Sequence, residues 1–181
     1  MEIIKPNLKK AVKSIREGKV LVCPTDTVYG LVADATNEKA VEKIYKIKKR
    51  SREKPIPIFV KDIEMAKSLA KISPDQEKFL KKVWPGKITV VLQSKDKGTI
   101  GLRIPKYKFL LDLIKHIDRP LTGTSANISG KPPSTKIKEV ISQFKSQKYQ
   151  LDLILDAGNL PKSKPSTVLD LTKFPPKILR Q

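Results

Sequence analysis

Four stretches of the chain carry side chains suited to chemistry, and each also has a plain structural use. Pro24-Thr25-Asp26-Thr27-Val28-Tyr29-Gly30 sets two hydroxyls and a carboxylate directly after an apolar run. That set binds the amino or hydroxyl group of a small ligand, or equally closes a turn on its own N–H groups. Lys48-Lys49-Arg50-Ser51-Arg52-Glu53-Lys54 offers guanidinium forks and mobile point charges to a phosphate chain. The same cations complement a helix C-terminus with no ligand present. Arg103 lies between strand-like Leu102 and Ile104, where an arginine needs a partner. Thr122-Gly123-Thr124-Ser125-Ala126-Asn127-Ile128-Ser129-Gly130 packs hydroxyls, an amide and two glycines behind an apolar strand. Exposed N–H groups in such a loop cradle phosphate oxygens, and a turn bonded only to itself uses the same residues.

The elements that must position these residues follow from periodicity and punctuation. Helices are expected over Asn7–Glu17, Glu38–Lys49, Ser73–Val83 behind a Ser-Pro-Asp-Gln capping box, Phe109–His116 and Lys136–Phe144. Strands are expected over Val20–Cys23, Ile88–Gln93, Thr99–Ile104, Leu121–Thr124, Leu153–Asp156, Thr167–Leu171 and Lys177–Arg180. Ile56–Val60 also reads as a strand, with Pro57 assigning it to an edge or a bulge. Strands and helices mix without strict βαβ alternation, which favours a mixed α/β sheet. No repeat, low-complexity block or linker interrupts the pattern.

Composition narrows the classes. With 181 residues and 39% apolar content, one domain with its own core is expected. One cysteine, Cys23, excludes a disulfide framework, and one histidine, His116, excludes the usual Cys/His zinc sites. Cys23 reads as a packing residue and His116 as a surface or capping one. No apolar run reaches the roughly 18 residues of a membrane span, and the charged N-terminus is not a secretory signal. A cytoplasmic protein is expected. Gly123 and Gly130-Lys131 lack P-loop spacing, and neither a dinucleotide fingerprint nor a serine-hydrolase elbow occurs. A net charge of +20 points to an anionic partner, or to a lysine-rich solvated surface.

Taken in order, several segments resemble the YrdC-like family in its short, TsaC-type form. They are Pro24-Thr25-Asp26-Thr27-Val28-Tyr29-Gly30-Leu31, Lys48-x-Arg50 with Lys54-Pro55, and Trp84-Pro85-Gly86 before Thr89. Thr99-Ile100-Gly101-Leu102-Arg103-Ile104-Pro105, Thr124-Ser125-Ala126-Asn127-Ile128-Ser129-Gly130 and Asp156-Ala157-Gly158 continue the series. Pro165-Ser166-Thr167-Val168 and Ile178-Leu179-Arg180 complete it. Val32 stands where the family usually has a glycine, and Thr124 where it usually has a proline.

The resemblance implies one YrdC-like α/β domain over residues 1–181. Its twisted mixed, largely antiparallel sheet would curl, with flanking helices, around a basic cavity. It implies that L-threonine, bicarbonate or CO2, and ATP give threonylcarbamoyl-AMP and pyrophosphate. A separate transferase complex would then use the product to modify tRNA. Carried over residue by residue, Thr25, Thr27, Arg103, Gly123 and Ser166 would bind threonine. Lys48, Arg50, Lys54, Thr99, Ser125, Asn127, Pro133, Ser134 and Arg180 would bind ATP, with Lys48, Arg50, Ser125 and Asn127 at the reacting centre. Mg2+ would be held mainly by the ATP phosphates, with no protein metal cluster. The basic segments Lys39–Lys54 and Lys78–Lys108 would add weak, salt-dependent tRNA or RNA binding. The rival readings are a non-catalytic RNA-binding module on the same basic concave surface, and a carbamoyl-adenylate enzyme of related fold.

Overall fold

Helix starts follow the polar residues that cap them. In the computed structural model, which describes all 181 residues, α1 (Leu8–Arg16) begins where Asn7 Oδ1 accepts from the Lys10 N–H at 2.9 Å. Asn37 caps α2 (Glu38–Lys48) in the same way. The capping box on α4 (Pro74–Val83) is complete: Ser73 Oγ accepts from the Gln76 N–H, and Gln76 Oε1 from the Ser73 N–H. The helix α2 stops one residue earlier than its pattern suggests, because Lys49 turns left-handed at φ 51° and sends Arg50 off the helix axis. The remaining helices are α3 (Ile63–Leu69), α5 (Lys108–Ile117) and α6 (Ile137–Phe144).

Eleven short strands follow the chain as β1 (Glu2–Ile4), β2 (Leu21–Cys23), β3 (Gly30–Val32), β4 (Ile58–Phe59), β5 (Ile88–Gln93) and β6 (Thr99–Arg103). Then come β7 (Leu121–Thr122), β8 (Thr124–Ser125), β9 (Leu153–Leu155), β10 (Thr167–Asp170) and β11 (Lys177–Arg180). They form two mixed sheets, ordered β1-β9-β2-β3-β8 and β11-β10-β5-β6-β4-β7. The mixed α/β class is as expected. The strands divide between two sheets, however, and parallel pairs (β1·β9, β2·β9, β10·β5, β4·β6) nearly match antiparallel ones in number. The expected strand from Leu121 to Thr124 is two strands in different sheets, with Gly123 as the crossing point. The strand near Pro57 is interior, not an edge. It is only two residues long, and it starts after the proline. Three elements exceed the expectation: β1, β3 and α3 are three, three and seven residues long, too short for a periodicity to register.

The alternation of strand side chains explains the layers. Val22, Leu31 and Ile154 of the first sheet pack with Ile44 and Ile47 of α2 and Phe144 of α6. Leu21, Cys23, Val32, Leu153 and Leu155 pack on its other face with Ile15 of α1 and Leu113 and Ile114 of α5. The second sheet buries Val90, Leu92, Leu102 and Leu169 against Leu80 of α4 and Trp84. The functional residues lie on its other face. No helix is long and apolar enough to cross a membrane.

Candidate active site

One lateral row of side chains crosses the open face of the second sheet. Val168 of β10 sits opposite Arg180 of β11 and beside Thr89 of β5. The β5–β6 register, Val90 with Leu102, brings Thr89 opposite Arg103 one step further on. Arg103 in turn pairs with Phe59 of β4. All five residues line one cavity of about 110 Å3.

Arg180 reaches that row through a β-bulge. Val168 pairs with Arg180 but Leu169 pairs with Ile178, so Leu179 is the extra residue. In regular pairing Leu179 would stand opposite Val168, and Arg180 would fall with Ile178 on the side of Leu169, which faces the helices. Arg180 Nη2 donates to the Ser166 carbonyl at 2.7 Å, and burial and the nearby Arg50 charge both push its pKa down.

Arg103 is 4% exposed and is held on three sides. Nε donates to the Gly86 carbonyl at 2.8 Å, Nη2 to Asp26 Oδ1, and Nη1 approaches Thr27 Oγ1 at 3.4 Å. Asp26 Oδ2 also accepts from the Lys106 N–H, so the carboxylate pins the guanidinium to two loops. Burial lowers the Arg103 pKa while Asp26 raises it. A guanidinium has five N–H groups, so two remain for a ligand.

The threonines form a directed chain. Thr25 Oγ1 gives its proton to the Val28 carbonyl at 2.7 Å and accepts from the Thr27 N–H. Its bond to Thr27 Oγ1 at 3.0 Å therefore takes the Thr27 proton. Thr27 then presents lone pairs, shared with Arg103, to the cavity.

From the first sheet comes the Thr124-Ser125 edge, with Gly123 behind it. The Gly123 N–H donates to the Pro57 carbonyl at 2.7 Å, and a Cβ there would stand 3.0 Å from the Phe59 ring. A side chain there would have to push the Phe59 ring back by a few tenths of an ångström. Arg50 enters from beyond α2, oriented by Nε to the Lys54 carbonyl at 2.7 Å and Nη2 to the Pro55 carbonyl at 3.0 Å. The lining thus holds three arginines, several hydroxyls and no carboxylate. It attracts anions and offers their oxygens donors at several angles.

A family model for Sua5, YciO and YrdC, described as "Telomere recombination", matches residues 13–181. The chain belongs to this family. A threonylcarbamoyl-AMP synthase of Pyrococcus abyssi is 38% identical over 176 residues, which are 92% of this chain and 51% of that protein. A putative threonylcarbamoyl-AMP synthase of Methanocaldococcus jannaschii is 38% identical over 166 residues, 88% of this chain and 77% of the relative. The structure of P. abyssi Sua5 complexed with L-threonine superposes with a TM-score of 0.88 at 35% identity, over 99% of this chain and 56% of that one. The chain therefore spans about half the length of the Pyrococcus relative.

Set against the residues that the Sua5/YciO/YrdC resemblance implied, the cavity gathers Thr25, Thr27, Arg50, Arg103, Gly123, Ser125, Ser166 and Arg180. Others lie elsewhere. Lys48 is 1% exposed, and its ammonium is spent beneath the cavity. It donates to the Ser125 carbonyl at 2.5 Å, the Asn127 carbonyl at 2.8 Å and Asn127 Oδ1 at 3.2 Å. Burial, with Arg50 nearby, pushes its pKa down to about 7. Asn127 Nδ2 donates to the Ile128 and Lys131 carbonyls, so Asn127 braces the loop and does not line the cavity.

Ser134 Oγ donates to Glu139 at 2.6 Å and accepts from the Lys136 N–H; it and half-buried Pro133 are absent from the lining. The Lys54 side chain is exposed outside it. Thr99 is four residues along β6 from Arg103, roughly 13 Å away at strand rise, exposed and opposite Gln93. Asp26, a possible ligand-binding carboxylate by sequence, is consumed by Arg103 and Lys106. Thr89, Phe59 and Val168 went unassigned. Its place after Trp84-Pro85-Gly86 and its hydroxyl inside the apolar run Ile88–Leu92 were the signals that marked Thr89.

Proposed function

We infer that this chain is a threonylcarbamoyl-AMP synthase: the L-threonine amine and bicarbonate give a carbamate with loss of water, and ATP converts it into threonylcarbamoyl-AMP with release of pyrophosphate. The observation that carries the reading is the acid-free cavity in which Arg50, Arg103 and Arg180 surround buried hydroxyls. The reaction brings two anions together: a carbamate oxygen attacks the α-phosphorus of ATP, the new O–P bond forms, and the bond to the β-phosphate oxygen breaks. Three fixed guanidiniums favour that encounter by neutralising charge and aligning the oxygens, with no covalent catalyst. Arg50 and Arg180 serve the phosphate chain. Arg103, with two free N–H groups beside Thr27, serves the threonine carboxylate, and the Thr27 lone pairs accept from the substrate's amine or hydroxyl.

No three His, Cys, Asp or Glu side chains are grouped as a metal set. Mg2+ would accordingly be carried on the ATP phosphates and water, supplying charge neutralisation there. The threonylcarbamoyl group would pass to a separate transferase acting on tRNA. The names and the threonine complex of the relatives support the substrate assignment.

The test is pyrophosphate release across a panel of amino acids with and without bicarbonate. Release is expected only with L-threonine and bicarbonate together, because a site that bonds a substrate hydroxyl rejects analogues lacking it. Equal turnover with valine overturns the selectivity. Tight, sequence-selective RNA binding without RNA-independent pyrophosphate release would make the chain a binding module instead.

A further inference from the structure

We propose that Gln143 of α6 is a positioning residue for ATP, acting through the loop that leaves the Thr124–Ser125 edge of the cavity. This role rests on the synthase reading and adds which side chain outside the cavity keeps its phosphate side assembled. The Gln143 amide bridges the two ends of that loop. Its Oε1 accepts from the Ile128 N–H at 3.0 Å, and its Nε2 donates to the Pro132 carbonyl at 3.0 Å.

The loop depends on such bonds because it has little packing of its own. Ser129, Gly130, Lys131 and Pro132 are all exposed, and Gly130 turns left-handed at φ 85°. A segment held by hydrogen bonds, with few buried apolar contacts, opens at low cost. The support is firm by contrast. Val140 and Phe144, on either side of Gln143 along α6, are fully buried in the core of the first sheet. One turn before Gln143, Glu139 accepts from Ser134 Oγ, so the same helix holds the chain again just past the loop.

Two routes carry the effect of Gln143 to the cavity. In the first, Asn127 Nδ2 spends both its protons on the Ile128 and Lys131 carbonyls, which leaves Oδ1 towards Ser125. An amide oxygen only accepts, so Ser125 Oγ donates to it at 2.5 Å, and the hydroxyl on the cavity wall is fixed in direction. In the second, the Ser129 N–H donates to the Lys48 carbonyl at 2.8 Å, at the last residue of α2. Lys49 and Arg50 follow directly, so the loop braces the base from which Arg50 enters the cavity. Both routes end on groups that this reading gives to ATP. Arg103 and Thr27 are held separately, by Gly86, Asp26 and Thr25.

Gln143→Met tests the role, because methionine matches glutamine in length and helix propensity but makes neither bond. Calorimetry on the full chain should show an ATP dissociation constant raised about ten-fold, as lost hydrogen bonds lower the ordered fraction of the loop. Threonine binding should stay within about two-fold, since its groups share no partner with Gln143. Gln143→Glu keeps the acceptor for the Ile128 N–H and should fall between Gln143→Met and wild type. Ser142→Ala, whose hydroxyl donates only to the Glu139 carbonyl of the same helix, should match wild type. ATP affinity unmoved by Gln143→Met, or ATP and threonine weakened alike, overturns the positioning role.

Amide hydrogen exchange without ligand supplies the independent reading. The Ile128 and Ser129 amides should exchange about ten-fold faster in Gln143→Met, with those of β5 unchanged. Unchanged exchange at Ile128 and Ser129 overturns the bridge, whatever the ATP affinity. A wild type that binds no ATP overturns the synthase reading and this role with it, whereas wild-type binding indifferent to Gln143→Met overturns this role alone.

Discussion

Asp26→Ala is the perturbation that tests how the cavity keeps its deepest cation in place. The side chains of Asp26 and Arg103 are 7% and 4% exposed, so neither charge is screened by water. Deleting Asp26 leaves a guanidinium that burial already disfavours and frees the Lys106 N–H. Removing one partner of a buried pair costs about 3–5 kcal/mol, much of it the uncompensated charge. In a chain of this length each kcal/mol moves the melting midpoint by about 2–4 °C, so the variant should melt roughly 6–20 °C lower. Arg103→Leu with Asp26→Ala removes both charges and should be more stable than Asp26→Ala alone. Urea denaturation of the four proteins then gives a coupling of about 2 kcal/mol. Pyrophosphate provides a second reading: as a replacement counter-charge it should stabilise Asp26→Ala more than wild type. A coupling below about 0.5 kcal/mol, or equal stabilisation by pyrophosphate, would show that another group balances Arg103 and refute the reasoning.

Arg50→Ala should weaken ATP binding roughly ten- to a hundred-fold, the worth of one charge-assisted contact, while the fold survives. Lys49→Ala, at the left-handed residue outside the cavity, should change binding little, and equal effects at both positions would reduce the run to a basic helix end. Lys48 makes stability depend on pH. Unfolded, it holds its proton to about 10.5; folded, it releases it near 7, so the unfolded chain binds more protons in that window and stability rises with pH across it. Urea midpoints at pH 6, 8 and 9.5 should show this slope in the wild type and its loss in Lys48→Met; identical slopes contradict it.

What could be read from the sequence was whatever is decided within a few residues. Caps such as Asn37 and Ser73 announce their helices because donor and acceptor are three positions apart. Thr25 and Thr27 are legible for the same reason, since the turn they close is their own. Short elements such as β1 and α3 lack the length for a period, and their existence depends on tertiary pairing, as with Glu2 beside Leu153. Lys48 shows what residue type alone does not place. A lysine next to Arg50 suggests a phosphate ligand, yet the helix stops at Lys49, and the ammonium turns inward to the carbonyls of a loop far along the chain.

The lateral row shows why residues of one motif need not line one cavity. Thr99 and Arg103 share a motif, but strand rise separates them by roughly 13 Å, whereas Thr89 comes from another motif and stands beside Arg103. Neighbourhood across a sheet is set by register, and register is set by pairing between distant segments. Alternation then decides which residue of each strand faces the cavity: Thr89 and not Val90, Arg103 and not Leu102, Val168 and not Leu169. Arg180 obeys that rule only because Leu179 is bulged. Regular pairing of this strand, with Leu179 opposite Val168 and Arg180 opposite Thr167, would therefore conserve every charge in the chain and still turn one cation of the cavity to the wrong face of the sheet.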